Sequence, residues 1–219
     1  MKRFMKRNLT ICFLFACIFS MGFQCRKEPV NFSYTFRADA DIYPLKKIYS
    51  LTDTIWIETD LPNKFLFDTR SNQNVNADTG PISLMINYNE FASVSRNPSN
   101  GLCDVITTNG VNKDRYLFPG GVQTFITYGC GQPNYKTRIG FKPNYKGIFR
   151  IQFLKDQIFQ NCSGKIIKYY ATISFRFKSI DLNLDILNSL PEKERDGKEG
   201  TQLYTQMINN REMFVFKVE

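Results

Sequence analysis

Histidine is absent from all 219 residues of the sequence. Catalytic Ser-His-Asp and Cys-His arrangements need an imidazole as the general base, and many zinc sites also need histidine ligands. Both kinds of site are therefore excluded. We expect no catalytic residue, no bound metal and no cofactor, so the protein is predicted not to be an enzyme.

Acidic residues are the remaining candidates for catalysis or metal binding. Asp78-Thr79-Gly80 has the triplet of aspartic proteases, but those enzymes need two aspartates that share a proton, and the sequence contains one copy. The triplet is therefore predicted to form a turn. Other acids lack the spacing of a calcium loop and are predicted to be solvated surface charges; they are Asp39, Asp41, Asp181, Asp185, Glu192 and Glu194.

Trp56 is the only tryptophan and the candidate ligand-stacking residue. It alternates with Ile55 and Ile57, so it is predicted to lie on the opposite face of a strand from them. An exposed tryptophan can stack on a sugar or anchor a partner protein, although aromatic side chains also fill cores. Other aromatic residues near predicted turns are candidates for the same surface: Tyr116, Phe118, Tyr128, Tyr135 and Tyr145.

Three cysteines follow residue 30: Cys103, Cys130 and Cys162. In an oxidising compartment such cysteines tend to pair. If strand directions are counted from residue 122, the turns at Cys130 and Cys162 fall at the same end of a sheet. We therefore predict a Cys130–Cys162 disulfide, which leaves Cys103 as a free thiol.

The first 24 residues have the layout of a secretory signal. Four cations, Lys2, Arg3, Lys6 and Arg7, precede an uncharged apolar run over residues 9–23. The run is shorter than the roughly 20 residues that a membrane-spanning helix needs. Export from the cytoplasm is therefore predicted.

Cys25 follows this run and is itself followed by Arg26-Lys27-Glu28-Pro29. This layout resembles that of bacterial lipoproteins, and the order Cys-x-Lys-Glu resembles the tag that sends some Gram-negative lipoproteins to the cell surface. Gln24 stands where the class has a small residue. The resemblance implies a signal peptide over residues 1–24, lipid attachment at Cys25, a tether over residues 25–30, and a location at the outer membrane, on its periplasmic side or at the cell surface.

Two alternatives to lipidation remain. In one, the segment stays uncleaved and acts as an anchor. In the other, an ordinary signal peptidase cleaves after Gly22, because Ser20 and Gly22 are the small residues that this enzyme needs. The protein would then be secreted or periplasmic, without a lipid anchor.

Residues 31–219 are predicted to form a single all-β domain. The alternation over residues 165–178 is the clearest, with Ile173, Phe175 and Phe177 on one face, and it is typical of an antiparallel sheet with one wet face. Further strands are predicted at residues 31–38, 46–50, 53–59, 65–67, 82–90, 115–118, 122–128, 135–141, 147–159 and 212–218.

The strands at 115–118 and 122–128 are expected to form a hairpin, and those at 135–141 and 147–159 to form another pair. A turn is expected at residues 39–44, and irregular segments at 68–81 and 91–112. The short helical segment near residues 182–208 is expected to consist of a helix over 182–190, a charged loop over 191–200 and a single helical turn over 203–208. Short strands at this spacing favour an antiparallel β-sandwich, immunoglobulin-like or related. A closed barrel is the alternative.

Charge argues against a nucleic-acid partner. Of the 29 basic residues four lie before residue 25, so 25 basic and 20 acidic residues remain, a net charge of +5 spread along the chain.

The sequence therefore predicts a non-enzymatic envelope protein that acts as a binding or assembly module. The resemblance to lipoproteins implies that its lipid attaches it to the membrane, and its expected partner is another envelope protein or a glycan. The alternative is a surface carbohydrate-binding or glycan-acting protein that uses exposed aromatics and carboxylates.

Overall fold

Strands with alternating inward and outward side chains make up most of the chain. The structure, a computed structural model, describes residues 34–76, 82–91, 101–108, 112–128, 133–160, 166–179 and 181–219. These residues belong to one compact unit, Ser33–Glu219. The strands are β1 (Tyr34–Tyr43), β2 (Ile48–Tyr49), β3 (Ile55–Leu61), β4 (Phe65–Asp68), β5 (Gln73–Asn76), β6 (Ile82–Phe91), β7 (Cys103–Thr108), β8 (Asn112–Phe118), β9 (Gly121–Tyr128), β10 (Tyr135–Pro143), β11 (Gly147–Leu154), β12 (Asp156–Gln160), β13 (Ile166–Phe177) and β14 (Met213–Val218). The α-helices are α1 (Leu184–Ser189) and α2 (Gly197–Asn209), and short 3-10 helices cover Pro62–Lys64 and Glu192–Arg195.

The strands form two sheets that face each other. The first sheet has the order β12-β13-β1-β3-β10-β7, and β4 pairs with both β1 and β5. The second has the order β2-β14-β11-β6-β9-β8. The pairs β1–β13 and β2–β14 are parallel, and the other pairs are antiparallel. The predicted all-β sandwich is confirmed, as is the helical segment near its carboxyl end.

A single aromatic-rich core fills the space between the sheets. Phe175 and Phe177 of β13 point into it, as their alternation predicts. Phe149 and Phe216 stack 6.0 Å apart, and Tyr88 contacts both rings. Complete burial of one such side chain contributes roughly 1.5–3 kcal/mol, so these rings account for much of the stability of the sandwich.

Both helices pack against the second sheet beside β14. Met213 and Val215, on the outward positions of β14, are fully buried. The Val215 amide also donates to the carbonyl oxygen of Leu182, which precedes α1. Strand β14 is therefore buried on both faces.

The turn expected at residues 39–44 is wrong, because β1 continues to Tyr43. Asp39 and Asp41 interrupt the apolar pattern only on the outward face, while Ala40 and Ile42 remain buried. The two aspartates form ion pairs with Arg176 of β13 and with Lys178, which directly follows that strand. The polar residues at positions 39 and 41 therefore lie on the outward, solvent-facing side of a strand and do not indicate a turn.

Two segments expected to be irregular contain strands. Strand β5 lies within residues 68–81, and β7 lies within residues 91–112. Their polar sequences show weak alternation, and each pairs with a better-patterned strand, β4 or β10.

The segment expected as one strand over residues 147–159 divides at Lys155. Strand β11 lies in the second sheet and β12 in the first. Strands β10 and β11, expected as a pair, likewise lie in different sheets. Alternation indicates which side chains point inward. It does not indicate to which sheet a strand belongs, because both sheets face the same core.

Candidate functional site

Trp56 lies on the outer face of the first sheet. Its neighbours in β3, Ile55 and Ile57, are fully buried in the core. The indole itself is half-buried. The opposite placement of Trp56 and the two isoleucines agrees with the sequence prediction, whereas a stacking role remains a prediction.

Strand register places Trp56 in a row that crosses four strands. Tyr43 of β1 is opposite Trp56, Gly140 of β10 is opposite Trp56 on its other side, and Ile106 of β7 is opposite Gly140. Adjacent strands lie about 4.8 Å apart, so the row is about 15 Å long. We call these four residues the aromatic row. Ile106, at its far end, is 37% exposed although its side chain is apolar.

Arg138 of β10 lies beside the aromatic row and joins its two rings. Its guanidinium carbon is 4.3 Å from the centroid of the Trp56 ring and 5.3 Å from that of Tyr43. A guanidinium within about 6 Å of an aromatic ring is attracted by the ring's quadrupole. The cation therefore holds Trp56 and Tyr43 in a defined arrangement.

Glu58, opposite Arg138 in the register, adds a negative charge to this surface. Burial raises the pKa of the Tyr43 phenol, and the Glu58 carboxylate raises it further, while Arg138 opposes the shift. The phenol therefore stays protonated over the physiological range and can donate a hydrogen bond. The surface thus presents an aromatic ring, a cation and an anion side by side.

Gly140 provides the space in which Trp56 lies. A Cβ atom at this position would be 2.9 Å from Cζ3 of Trp56 and 2.7 Å from Cγ2 of Thr54. Side chains do not approach so closely, so any larger residue would displace the indole.

The second sheet differs because the helices cover part of its outer face. Arg150 of β11 lies 4.6 Å from the ring centroid of Phe91 and 4.3 Å from that of Tyr204, which belongs to α2. This contact attaches α2 to the sheet. In the described part of the chain, the aromatic row has no comparable helix packed against it.

None of the five other aromatic candidates lies in the aromatic row with Trp56. Tyr128 and Tyr135 are buried in the core and contact each other, because they occupy inward positions of β9 and β10. The Tyr128 hydroxyl also forms a hydrogen bond with Thr59, which links the two sheets. Tyr116 is 56% exposed but lies on the edge strand β8 of the second sheet.

Phe118 and Tyr145 are half-buried, and neither lies in the row. Phe118 is beside Gly121, and Tyr145 packs against the core.

Several predicted residues lie outside the described ranges. They are Cys25, the Asp78-Thr79-Gly80 triplet, and the cysteines of the predicted disulfide, Cys130 and Cys162. Cys103 is described, and it is a free, buried thiol whose pKa is raised by burial. A thiol that stays protonated in a closed core is a poor nucleophile.

The acidic residues are dispersed. Asp185 forms an ion pair with Lys47 at 2.8 Å, and the Asp181 carboxylate accepts a hydrogen bond from the backbone amide of Asn183. Glu192 and Glu194 lie in a short 3-10 helix. Within the described ranges, no group of three or more potential metal ligands comes together.

Tyr43, Ile106, Arg138 and Gly140 were not identified from the sequence as parts of the site. The sequence predicts a turn at Tyr43 and an irregular segment at Ile106, whereas the structure places them in β1 and β7. The outward alternation of Arg138 in β10 was visible, but its position beside Trp56 depends on the pairing of β10 with β3, which the sequence does not specify.

Chemically, this surface is suited to binding. Tryptophan, tyrosine and arginine are the residues most enriched at the energetic centres of protein interfaces. The row lies on a sheet surface. Trp56 lines neither the cavity beside Arg37 and Arg176 nor the cavity beside Leu182 and Leu184.

Comparisons with known proteins give distant similarities. No protein-family model matches the chain, and no curated protein matches it in sequence. The fold is similar to a type II cohesin dyad from a scaffoldin of Acetivibrio cellulolyticus, with a TM-score of 0.29, 11% identity, and coverage of 67% of this chain and 46% of that chain. It is also similar to a non-cellulosomal cohesin from Archaeoglobus fulgidus, with a TM-score of 0.25, 12% identity, and coverage of 68% of this chain and 88% of that one.

The chain spans less than half the length of the first of these structures. Separately, among the described residues, none of the helices has the length and apolar character required to cross a bilayer.

Proposed function

We propose that the protein is an exported, lipid-anchored binding or assembly module of the cell envelope, which binds another envelope protein through the outer face of its first sheet. The observation that carries this proposal is the aromatic row with Arg138 and Glu58 beside it. Exposed apolar side chains and fixed charges on one surface are the features by which protein interfaces are recognised.

The shape of the surface favours a protein over a small ligand. Sites for small molecules are concave and enclose most of the ligand, whereas the aromatic row lies on a sheet. Arg138 and Glu58 provide opposite charges next to the rings, and a partner with complementary charges would be oriented by them.

A glycan-binding function is the second candidate, and Trp56 is the residue that favours it. A sugar ring would stack on the indole, and Glu58 would accept hydrogen bonds from its hydroxyl groups. Arg138 already lies over the indole at 4.3 Å, so a stacked sugar would have to displace the guanidinium or use the other ring face.

The lipid anchor is proposed from Cys25 and the preceding signal-like residues. A single acyl chain holds a protein at a membrane only marginally, so stable attachment needs more than one chain. Mass spectrometry of the N-terminal peptide from the mature protein tests this point. A peptide that begins at acylated Cys25 supports it, and an unmodified peptide that begins at Phe23 contradicts it.

Site-specific photo-crosslinking in the producing cell tests the binding surface. A benzophenone amino acid replaces Ile106 in the aromatic row or, as the matched control, Leu203 on α2, which is 53% exposed. We expect an adduct with one defined envelope protein from position 106 and none from position 203.

An adduct from position 203 without one from position 106 would place the interface on the helices and contradict the proposal. An adduct of position 106 with carbohydrate would favour the glycan-binding function.

A further inference from the structure

A polar cavity lies at the other end of β1 from Tyr43. Its volume is about 360 Å³, and part of its wall is the outer face of β1 and β13. The rest of the wall is the segment that connects α2 to β14. The basic and neutral lining residues are Arg37, Ser174, Arg176, Asn209, Asn210 and Arg211.

Strand pairing fixes one side of this cavity. Arg37 of β1 is directly opposite Ser174 of β13, and Asp39 is opposite Arg176. All four side chains point away from the core, since the intervening residues are buried. The Arg37 guanidinium also lies 4.8 Å from the ring centroid of Phe67 on β4, which restricts its position.

The connecting segment fixes the other side. The carbonyl oxygen of Arg211 accepts a hydrogen bond from the Phe177 amide at 2.7 Å. Its Nη1 donates to the carbonyl oxygen of Lys178 at 3.3 Å. Arg211 is therefore attached to the end of β13 by both its backbone and its side chain.

The cavity contains more positive charge than its own carboxylates neutralise. Arg176 donates to Asp39 at 2.5 Å. Among the described residues, neither Arg37 nor Arg211 forms an ion pair, and Glu212 is the acidic side chain in the lining. Burial lowers the pKa of Arg37, as do the neighbouring charges of Arg176 and Arg211, while Asp39 opposes them. Three guanidinium groups thus lie close together beside two carboxylates.

We propose that this cavity binds a phosphate or sulfate group, held by Arg37, Arg176 and Arg211. Guanidinium groups donate paired hydrogen bonds to such oxyanions. The Asn209 and Asn210 amides can supply further donors. This site is separate from the aromatic row and does not depend on the proposed function.

Calorimetric titration with sodium phosphate tests the proposal, with the protein in its natural processed form at low ionic strength and sodium chloride as the reference. We expect saturable binding to one site. Arg37→Gln combined with Arg211→Gln should weaken binding by at least about tenfold, because charge-assisted hydrogen bonds are lost. Lys198→Gln, which removes an exposed cation of α2, should leave binding unchanged.

A circular dichroism melt of each variant shows whether it is folded. If the double variant unfolds, Arg211→Gln alone serves, because its side chain lies outside the core. Absence of saturable phosphate and sulfate binding up to about 10 mM, together with absence of binding to phosphatidic acid vesicles, would overturn the proposal. Equal binding by the folded variant and the Lys198→Gln control would also overturn it.

Vesicles distinguish a lipid headgroup from a free oxyanion. Phosphatidylcholine vesicles with and without phosphatidic acid are compared under the same conditions. A lipid headgroup is the ligand if vesicle binding requires phosphatidic acid and is reduced in the arginine variant. A soluble oxyanion is the ligand if the protein binds free phosphate saturably but does not bind the vesicles. Vesicle binding that the arginine variant retains in full would contradict a role for the cavity.

Discussion

At the scale of single residues, the core depends on a cluster of aromatic rings, and Phe216 contacts several rings of the second sheet. Phe216 lies 5.4 Å from the ring of Tyr49, 5.8 Å from that of Tyr88 and 5.4 Å from that of Phe214. We expect Phe216→Ala to lower the free energy of unfolding by about 4 kcal/mol, because it removes a buried ring and leaves a cavity.

Urea unfolding followed by circular dichroism measures this loss. Tyr116→Ala is the matched control, because Tyr116 is an exposed aromatic residue and its loss should cost no more than about 1 kcal/mol. Equal losses in the two variants would show that the ring cluster is not the centre of the core.

Asp68, at the end of β4, holds the following turn by accepting three backbone hydrogen bonds. The donors are the amides of Thr35 at 3.1 Å, Arg70 at 3.3 Å and Ser71 at 3.1 Å. Burial alone would raise the pKa of this carboxyl group, but the hydrogen bonds from Ser71, Thr35 and Arg70 outweigh it, and the pKa is lowered.

A lowered pKa in the folded state means that the ionised carboxylate stabilises the fold. The stabilisation is complete above the unfolded pKa of about 4 and is lost as the pH falls through the folded value. We expect Asp68→Asn to lower stability by about 2 kcal/mol at pH 7, with a smaller difference from the natural protein at low pH.

Urea midpoints at a series of pH values check this expectation. Asp60→Asn is the control, because Asp60 is an exposed acid and its ion pair with Lys136 is worth little. A difference at Asp68 that does not change with pH would contradict the role of its charge.

At the scale of elements, Arg150 attaches α2 to the second sheet through Phe91 and Tyr204. We expect Arg150→Leu to reduce the protection of α2 in hydrogen–deuterium exchange, because the contacts between the cation and the two rings are lost. Protection in β9 and β10 should change little. The measurement is exchange followed by mass spectrometry of peptides from residues 197–209.

Arg138→Leu is the matched control for this helix. Arg138 is also stacked against two aromatic rings, but on the other sheet, so its replacement should leave α2 unchanged. Loss of α2 protection in both variants would mean that general destabilisation, and not the Arg150 contact, is responsible.

Elements with clear alternation could be predicted from the sequence, and their partners could not. Spacing alone predicts the inward residues of β13, the hairpin of β8 and β9, and the face on which Trp56 lies. The division at Lys155 was not predictable, because the alternation of β11 does not indicate that the next strand, β12, belongs to the other sheet. A pattern specifies a face, whereas the pairing of strands depends on contacts that are distant in sequence.

The length of helix α2 could not be predicted from the sequence either. The sequence predicts a charged loop followed by a single helical turn over residues 203–208, whereas α2 begins at Gly197. Tyr204 and Ile208, four residues apart, are its buried residues. The charged first turn is compatible with a helix because it faces solvent.

For the candidate site, the sequence identified Trp56 and missed its surroundings. Arg138, Gly140 and Ile106 become neighbours of Trp56 only through the pairing of β3, β10 and β7. Predicting the site would have required the register of three strands that lie far apart along the chain.

At the scale of the whole molecule, the two faces of the sandwich differ. Helices cover the outer face of the second sheet over β11 and β14, whereas the first sheet carries the aromatic row and the arginine-lined cavity on its outer face. The proposed role follows from this asymmetry and not from any catalytic group.

The affinity of the partner that photo-crosslinking identifies, measured for the natural protein and two variants, is the most direct test of the central claim. Trp56→Ala should weaken binding by about 30-fold, the effect of losing about 2 kcal/mol at the centre of an interface. Lys136→Ala, which removes an exposed cation from the same face, should change it by less than about threefold. Equal affinity of the natural protein and the folded Trp56→Ala variant would contradict the claim that this face is the binding surface.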